Sequence, residues 1–327
     1  MSVPVIWRNV LLAGALCAVA CQAVAQPQAW PAKPVKLVVG YPPGGGADTV
    51  ARLLAERLGR SLAQQVIVEN RAGASGAIGA LSVARAEPDG YTMLVAAISE
   101  ISIAPATVKA LPYDPVKELK PVVVVGKWPY VLIASPSFAP NTLAELVAYA
   151  KANPGKASFS SFGNNTINHL AGEMFKLAAG IDAVHVPYKG SGPAIIDIMG
   201  GQIQFAFDSP AVTLNLVKAG KLKALAVTGA QRLPNANTIP TTAEAGLPGF
   251  LMSAWVGVLA PARTPQSIVD RVNSDTVTAL NSAEFRAALD ARSILPGGGT
   301  PEEFGRQIAA EIAEWRQVAA RIGITPE

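Results

Sequence analysis

Apolar and polar positions along this chain switch repeatedly between two periods. Val35-Lys36-Leu37-Val38-Val39 is an apolar run of strand length. Shortly after it, Val50, Leu53, Leu54 and Leu58 recur at helical spacing, with Gly59 as a stop signal. The alternation continues, with strands predicted at 66–70, 91–97, 157–160, 184–188, 204–207 and 224–228 and helical patterns between most of them. Such alternation predicts an α/β fold with mainly parallel sheets. Two apolar runs, 122–125 and 130–134, flank Gly126-Lys127-Trp128-Pro129 and mark a change of lobe. The run 254–259 reads as a strand returning to the first lobe, and everything after it as helical. Thr142 with Glu145, and Thr300 with Glu303, have capping-box spacing, and Gly180 sits where a helix should end. Thr264-Pro265 has the form of a third helix start. Ile308, Ile312 and Trp315 form an apolar stripe and, with Trp255, read as core.

The strand ends carry the candidate chemistry. Tyr41-Pro42-Pro43-Gly44-Gly45-Gly46-Ala47-Asp48 joins the first strand to the first helix. A glycine-rich turn there presents backbone N–H groups at the positive end of the helix dipole, a natural seat for a carboxylate or phosphate. It lacks the Gly-Lys-Ser/Thr of a P-loop and the Gly-x-Gly-x-x-Gly dinucleotide fingerprint. Asp48 falls in the first helical turn, where it suits the dipole but would repel an anion in direct contact, so its expected role is to order the loop or hold waters. Arg71-Ala72-Gly73-Ala74-Ser75-Gly76 and Ile98-Ser99-Glu100 follow the next two strands as similar loops. In open α/β sheets the crevice beyond the strand C-termini is where ligands bind. The second half repeats the arrangement, with Ser161-Phe162-Gly163-Asn164-Asn165-Thr166, Lys189-Gly190-Ser191-Gly192 and Asp208-Ser209-Pro210. Two such lobes facing one another make a cleft.

Composition narrows the classes. The chain has 327 residues, a length that suits two lobes. Half are hydrophobic and 15% charged, so a large core is available. Arg8, the apolar run 10–25 and Ala23-Val24-Ala25 have the form of an export signal cleaved after Ala25. Both cysteines, Cys17 and Cys21, lie inside it, and Ala18-Val19-Ala20 before Cys21 is an imperfect lipoprotein signal. The mature chain then has neither a disulfide nor a thiol nucleophile. Without Arg8 it holds 26 basic and 23 acidic residues, too mild an excess for a nucleic-acid footprint. The two histidines, His169 and His185, have no metal-ligand spacing, and no Gly-x-Ser-x-Gly elbow occurs. His185 alternates within a strand and reads as packed, whereas His169, early in a helix behind a polar loop, has a position from which it can face the cleft. An acid/base pair such as Asp208 with Lys189 stays open, although charged pairs in α/β proteins are usually structural.

Taken together, the loops at 41–48 and 69–74, Leu111-Pro112-Tyr113-Asp114-Pro115, His185-Val186-Pro187-Tyr188-Lys189-Gly190, the segment 240–249 and Gly299-Thr300-Pro301-Glu302-Glu303-Phe304 resemble one family, in order and over nearly the whole mature chain. It is the Bug-type solute-binding proteins of tripartite tricarboxylate transporters. The resemblance implies a two-lobed periplasmic binding protein, type II-like, with a mixed, mainly parallel sheet flanked by helices in each lobe. Residues 1–25 would be the signal, 26–125 plus 255–327 the first lobe and 126–254 the second, with hinges near 121–130 and 250–257. It implies no catalysis and no cofactor or metal, a monomer that binds a small carboxylate in the periplasm, and membrane transporter subunits as partners, with no nucleic acid. Carried over, the ligand contacts are Tyr41, Pro43, Gly44, Gly45, Asp48, Ala74, Ser75 and Ser99 from the first lobe. Facing them are Ser161, Gly163, Asn165, Thr166 and His169, with Lys189 and Asp208 behind. Two positions depart from the family pattern. Glu100 stands where small neutral residues and a histidine are usual; facing the cleft it would disfavour a second carboxylate nearby or pair with a ligand amine, and the other reading is that it points outward. Asn164-Asn165 replaces a smaller loop. An exported sensor or scaffold that presents its ligand to a signalling partner is the alternative reading.

Overall fold

The computed structural model describes residues 30–324, so the export signal, its cleavage after Ala25 and Cys21 lie outside the described residues. From Lys33 onward the first structural unit is β1 (Val35–Val39), α1 (Gly46–Leu62) and β2 (Val66–Asn70). A single turn at Ala74–Gly76 leads into α2 (Ala77–Ala84), then β3 (Thr92–Ala97). A wide turn at Ser99–Ile103 runs into the short α3 (Ala104–Thr107). β4 (Leu119–Pro129) completes this part before the chain crosses. The second part holds β5 (Val131–Ala134), α4 (Leu143–Ala152), β6 (Ser158–Ser161) and α5 (Ile167–Ala179). It continues with β7 (Val184–Pro187), α6 (Ser191–Met199), β8 (Phe205–Asp208), α7 (Pro210–Lys218) and β9 (Lys223–Val227). β10 (Ser253–Pro261), α8 (Gln266–Asn281), α9 (Ala283–Asp290), β11 (Leu295–Gly298) and α10 (Pro301–Arg321) end the described chain.

Two mixed sheets result, one per lobe. The first has order β11-β4-β10-β3-β1-β2, the second β7-β6-β8-β5-β9. Parallel pairing holds where helices cross over, in β2-β1-β3 and in β7-β6-β8. The strands that carry the chain between lobes, β4, β5 and β10, pair antiparallel with their neighbours. Thr228 knits the two crossings together. Its Oγ1 accepts from Tyr130 N at 2.8 Å and donates to Met252 O at 2.6 Å, and its N–H donates to Tyr130 O.

The structure corrects several local expectations. α1 runs through Gly59 to Leu62 and ends at Ala63, in the left-handed region at φ 50°. Buried Leu58 and Leu62 hold that last turn against the core, which outweighs the ~1 kcal/mol helix penalty of a glycine. Gly126-Lys127-Trp128-Pro129 is the end of β4, paired with β10 as far as Pro129–Ser253. β11 was not anticipated, because Leu-Pro-Gly-Gly carries turn residues, yet it pairs with β4 at the sheet edge. Ser191 and Gly192 begin α6 and are not loop. Thr264 caps nothing, since α8 has no side-chain cap and the buried Thr264 hydroxyl meets no partner among the described residues. Thr142 caps α4, but Glu145 reaches Asn141 N, so the reciprocal half of that box is missing. The box of Thr300 and Glu303 is complete. Ile308, Ile312 and Trp255 are buried, with Trp255 Nε1 donating to Glu311, while Trp315 is only half-buried.

Candidate functional site

Between the two sheets lies a small, mostly apolar cavity of about 40 Å³. Four helices begin at its wall: α1 with Gly46 and Ala47, α5 with Ile167 and Asn168, α6 with Ser191, and α7 with its N-cap Ser209. Four positive helix ends thus converge on one space. Among the described residues no Lys, Arg or His side chain lines it. Among the described residues no cluster of three or more His, Asp or Glu has the makings of a metal site.

The starts of α1 and α6 both follow a glycine and carry no side-chain cap. Gly45 occupies the N-cap position in extended conformation and supplies no side-chain cap. The first return bond is Thr49 N to Gly45 O at 2.9 Å, and the N–H groups of Gly46, Ala47 and Asp48 meet no protein acceptor among the described residues. Gly46 lies so close to the second lobe that a Cβ there would stand 3.1 Å from Ser209 Oγ, and equally close to Trp128 Cζ2 at the end of β4. Asp48 orders the loop from behind. Its Oδ2 accepts from Gly44 N at 2.9 Å and from Arg52 Nε at 2.9 Å, and Oδ1 accepts from Asn70 at 2.9 Å. Burial works against its charge, yet these hydrogen bonds hold its carboxyl below the usual range.

The start of α5 is occupied instead. Thr166 Oγ1 accepts from His169 N, and Ser99 Oγ, from the other lobe, accepts from Ile167 N at 3.2 Å. Two more bonds cross between lobes, Ser75 Oγ to Asn164 O at 2.7 Å and Asn165 Nδ2 to Thr107 O at 3.5 Å. The loop 161–166 is pinned from within. Ser161 Oγ contacts His185 Nε2 at 2.6 Å, Thr166 Oγ1 donates to Gly163 O at 2.8 Å, and Asn165 N donates to His169 Nδ1 at 3.1 Å. The two imidazoles stack with centroids 3.9 Å apart. Burial, then the neighbouring His169, pushes His185 down to about 3, and burial lowers His169 as well, so both rings are neutral at pH 7.

Of the residues singled out in the sequence, Tyr41, Gly45 and Ser99 line the cavity. Asp208 lies one atom shell behind it, fully buried, accepting from Ser191 Oγ at 2.6 Å and from Ser209 N at 2.6 Å. No ion pair links it to Lys189, whose side chain is exposed. Pro43, Gly44 and Ala74 are exposed on the rim, and Ser75, Gly163 and Asn165 make the lobe-to-lobe seam beside it. Ser161, Thr166 and His169 brace that seam. Sequence reasoning missed Trp128 and Tyr130 at the crossing, Phe162, and the helix starts Ile167, Asn168, Ser191 and Ser209. The signal was present for the last two, which immediately follow Gly190 and Asp208 in loops already marked.

Glu100 takes neither orientation considered for it. The wide turn at Ser99–Ile103 folds it under β3, fully buried, where Oε1 accepts from Ala97 N at 2.7 Å and Oε2 from Tyr41 Oη at 2.8 Å. Its backbone carbonyl accepts from Tyr113 Oη at 2.6 Å. Burial pushes its carboxyl up to about 7, and does the same to Asp208.

Comparison with known proteins places this arrangement in a class. The sequence matches the tripartite tricarboxylate transporter family receptor over residues 50–324. It is 36% identical to the Bordetella pertussis protein BugT over 295 residues, covering 90% of each chain. Among solved structures, Rpa4515 of R. palustris with adipate superposes with a TM-score of 0.89 at 35% identity, covering 91% of this chain and all of that one. The periplasmic binding protein BugD gives 0.87 at 34% identity over 91% of this chain and 100% of its own. MatC from Rhodopseudomonas palustris with bound malate gives 0.84 at 31% identity, covering 88% and 99%. The chain belongs to the tripartite tricarboxylate transporter receptor family. Its family and structural neighbours are periplasmic solute-binding proteins, not enzymes.

Proposed function

We propose that this chain captures a small organic carboxylate in the periplasm and delivers it to the membrane subunits of a tripartite tricarboxylate-type transporter. The observation that carries the reading is the start of α1. Unpaired N–H groups at the positive end of a 17-residue helix open on an interlobe cavity that holds no competing side-chain cation. The adipate of Rpa4515 and the malate of MatC support a carboxylate as the ligand class. Capture follows from the hinge. The crossings tied by Thr228 let the lobes part, and a ligand bridging α1 and the second lobe favours the closed state by its contacts in that state alone. Tyr41, Gly45 and Ser99 would touch the ligand, with Gly46, Ala47, Ser191 and Ser209 added from the structure. Pro43, Gly44, Asp48, Ala74, Ser75, Ser161, Gly163, Asn165, Thr166, His169, Lys189 and Asp208 would shape, brace or gate the site.

The test is thermal unfolding of protein expressed as the full chain and purified from the periplasm. Small carboxylic acids are compared with their amides. Ligand binding raises stability by about 2.7 kcal/mol at a hundredfold excess over Kd. A shift with an acid and none with its amide is the expected result. Equal shifts would remove the carboxylate from the account, and no shift across the panel in ligand-free protein would favour a sensor or scaffold.

A further inference from the structure

Across the cavity from the start of α1 stands Ser191, the first residue of α6. A Cβ built on Gly45 would lie 3.9 Å from Ser191 Cβ. A carboxylate seated on the α1 N–H groups therefore faces the Ser191 side chain. That hydroxyl is already committed. It gives its hydrogen to Asp208 Oδ2 at 2.6 Å, and it meets no second acceptor among the described residues. With its one hydrogen spent, it can offer the cavity only lone pairs, which repel an anion.

Asp208 is fully buried at the end of β8, and its other oxygen accepts from Ser209 N at 2.6 Å. Among the described residues no cation is paired with it. From the crossing it is faced by Tyr130, on which burial and then the charge of Asp208 hold the phenolic proton. α5 presents the amide of Asn168, which donates to Phe207 O. α6 presents Ser191, and α7 presents Ser209. Across the cavity, Asp48 of α1 is paired with Arg52, and Glu100 of the other lobe lies behind Tyr41. His169 and His185 stack on each other and are bonded to the loop 161–166, and Lys189 is exposed. Burial pushes the Asp208 carboxyl up to about 7. A bound anion nearby would raise it further, because like charges disfavour ionisation.

A proton on Asp208 rearranges these bonds. The new Oδ2–H donates to Ser191 Oγ, and the serine hydrogen is free to turn into the cavity. The wall loses a negative charge and gains an O–H donor in the same step.

We propose that Asp208 is a positioning residue for the ligand carboxylate: on binding it takes up one proton from solvent and so turns the Ser191 hydroxyl toward the ligand. This rests on the carboxylate-binding reading above and adds a proton linkage to it. The sign follows directly. Above about pH 7 the free chain has lost the proton that the bound chain holds, so affinity falls as pH rises through that value. Glu100 is not equivalent. Tyr41 Oη has Ser75 O at 3.1 Å as a second acceptor, so a proton on Glu100 leaves the tyrosine hydrogen bound to the protein.

The experiment is calorimetric titration of the periplasmically purified protein with benzoate, succinate and adipate. For an acid that binds, Kd is expected to weaken about fivefold or more from pH 6.5 to 8.5. Heats measured at pH 7.5 in phosphate and in Tris should differ in the sense of proton uptake by the protein. In Asp208→Asn the side-chain amide donates to Ser191 Oγ at every pH, so the change in Kd over the same range should shrink to less than about twofold. Ser191→Ala should flatten the profile as well, at the weak alkaline level of affinity, and it carries the test if Asp208→Asn does not fold. Glu100→Gln should keep the slope. A wild-type Kd that does not change with pH, with no proton uptake, overturns the inference and leaves carboxylate binding intact. A slope that survives in Asp208→Asn, or that Glu100→Gln removes instead, overturns the assignment to Asp208. Failure of every acid to bind at any pH overturns the carboxylate reading and this inference with it.

Discussion

The helices α1 and α5 begin on opposite sides of one cavity and meet their unpaired N–H groups in opposite ways. At α5 the protein supplies its own acceptors: Thr166 takes His169 N, and Ser99 reaches across the cleft for Ile167 N. At α1 the cap position is a glycine, and Gly46, Ala47 and Asp48 N–H find no acceptor among the described residues. An N-terminus satisfied from within serves folding and lobe closure. One left open at a cavity wall is a seat for an external anion. The difference teaches that a binding site is recognised by what the fold leaves unpaired, more than by how many polar residues surround it.

The comparison is broken most severely at Gly45. Its φ of −78° is open to any L-residue, and a Cβ would stand 3.9 Å from Ser191 Cβ across the cleft. The γ-methyls of Gly45→Val would extend into the space of the carboxylate. We expect at least a hundredfold loss of affinity, about 2.7 kcal/mol, with an unchanged circular dichroism spectrum. Near-native affinity in that variant would remove the start of α1 from the site. The α5 side gives smaller and separable effects. Ser99→Ala should weaken binding five- to tenfold, about 1 kcal/mol, by deleting a hydrogen bond formed on closure. Thr166→Ala should instead cost about 1 kcal/mol of stability in denaturant titration, as loss of an N-cap does. Equal effects of the two variants on affinity would erase the distinction between brace and seam.

The smallest expected effect is in pH dependence. The Glu100 carboxyl is pushed up to about 7 in the fold, above its ordinary 4.5. In that interval the folded chain holds a proton that the unfolded chain has released. The stability due to this group is complete below about pH 4.5 and is lost as pH rises toward 7. His169 and His185, both lowered, act in the opposite direction as pH falls through 6.5. They are common to wild type and Glu100→Gln, so they cancel in the comparison. The melting temperature of wild type should therefore decline more between pH 5 and 7 than that of Glu100→Gln. Parallel profiles would mean that Glu100 is already ionised in the fold.

Much of this was legible in the sequence. The glycine-rich turn after β1 is predicted as a strand-to-helix turn with exposed N–H groups, and the structure has that turn at the wall of the cavity, because strand, glycines and helical period are all local signals. Asp48 was read as ordering that loop, and it does so through Gly44 N. What stayed hidden depends on distance in the fold. Trp128 lines the cavity because β4 continues past Gly126 with β10 beside it, and that pairing joins residues far apart in the chain. Glu100 looked like a loop residue with two possible outlooks, yet the wide turn after β3 places it under Tyr41. Ser161, Thr166 and His169 have the polar character expected of ligand contacts, but their hydrogen bonds are spent on one another and on their own loop. Sequence shows which side chains are polar. Only the structure shows which of them remain unpaired.

The most direct test of the central claim is amide NMR of protein labelled with ¹⁵N-glycine and ¹⁵N-alanine, titrated with an acid that shifts thermal unfolding. The amide protons of Gly46 and Ala47 are expected to move downfield together and to saturate with the calorimetric Kd, as N–H groups do on donating to a carboxylate. If those two resonances stay in place while the acid binds, the carboxylate sits elsewhere and the account of α1 is wrong.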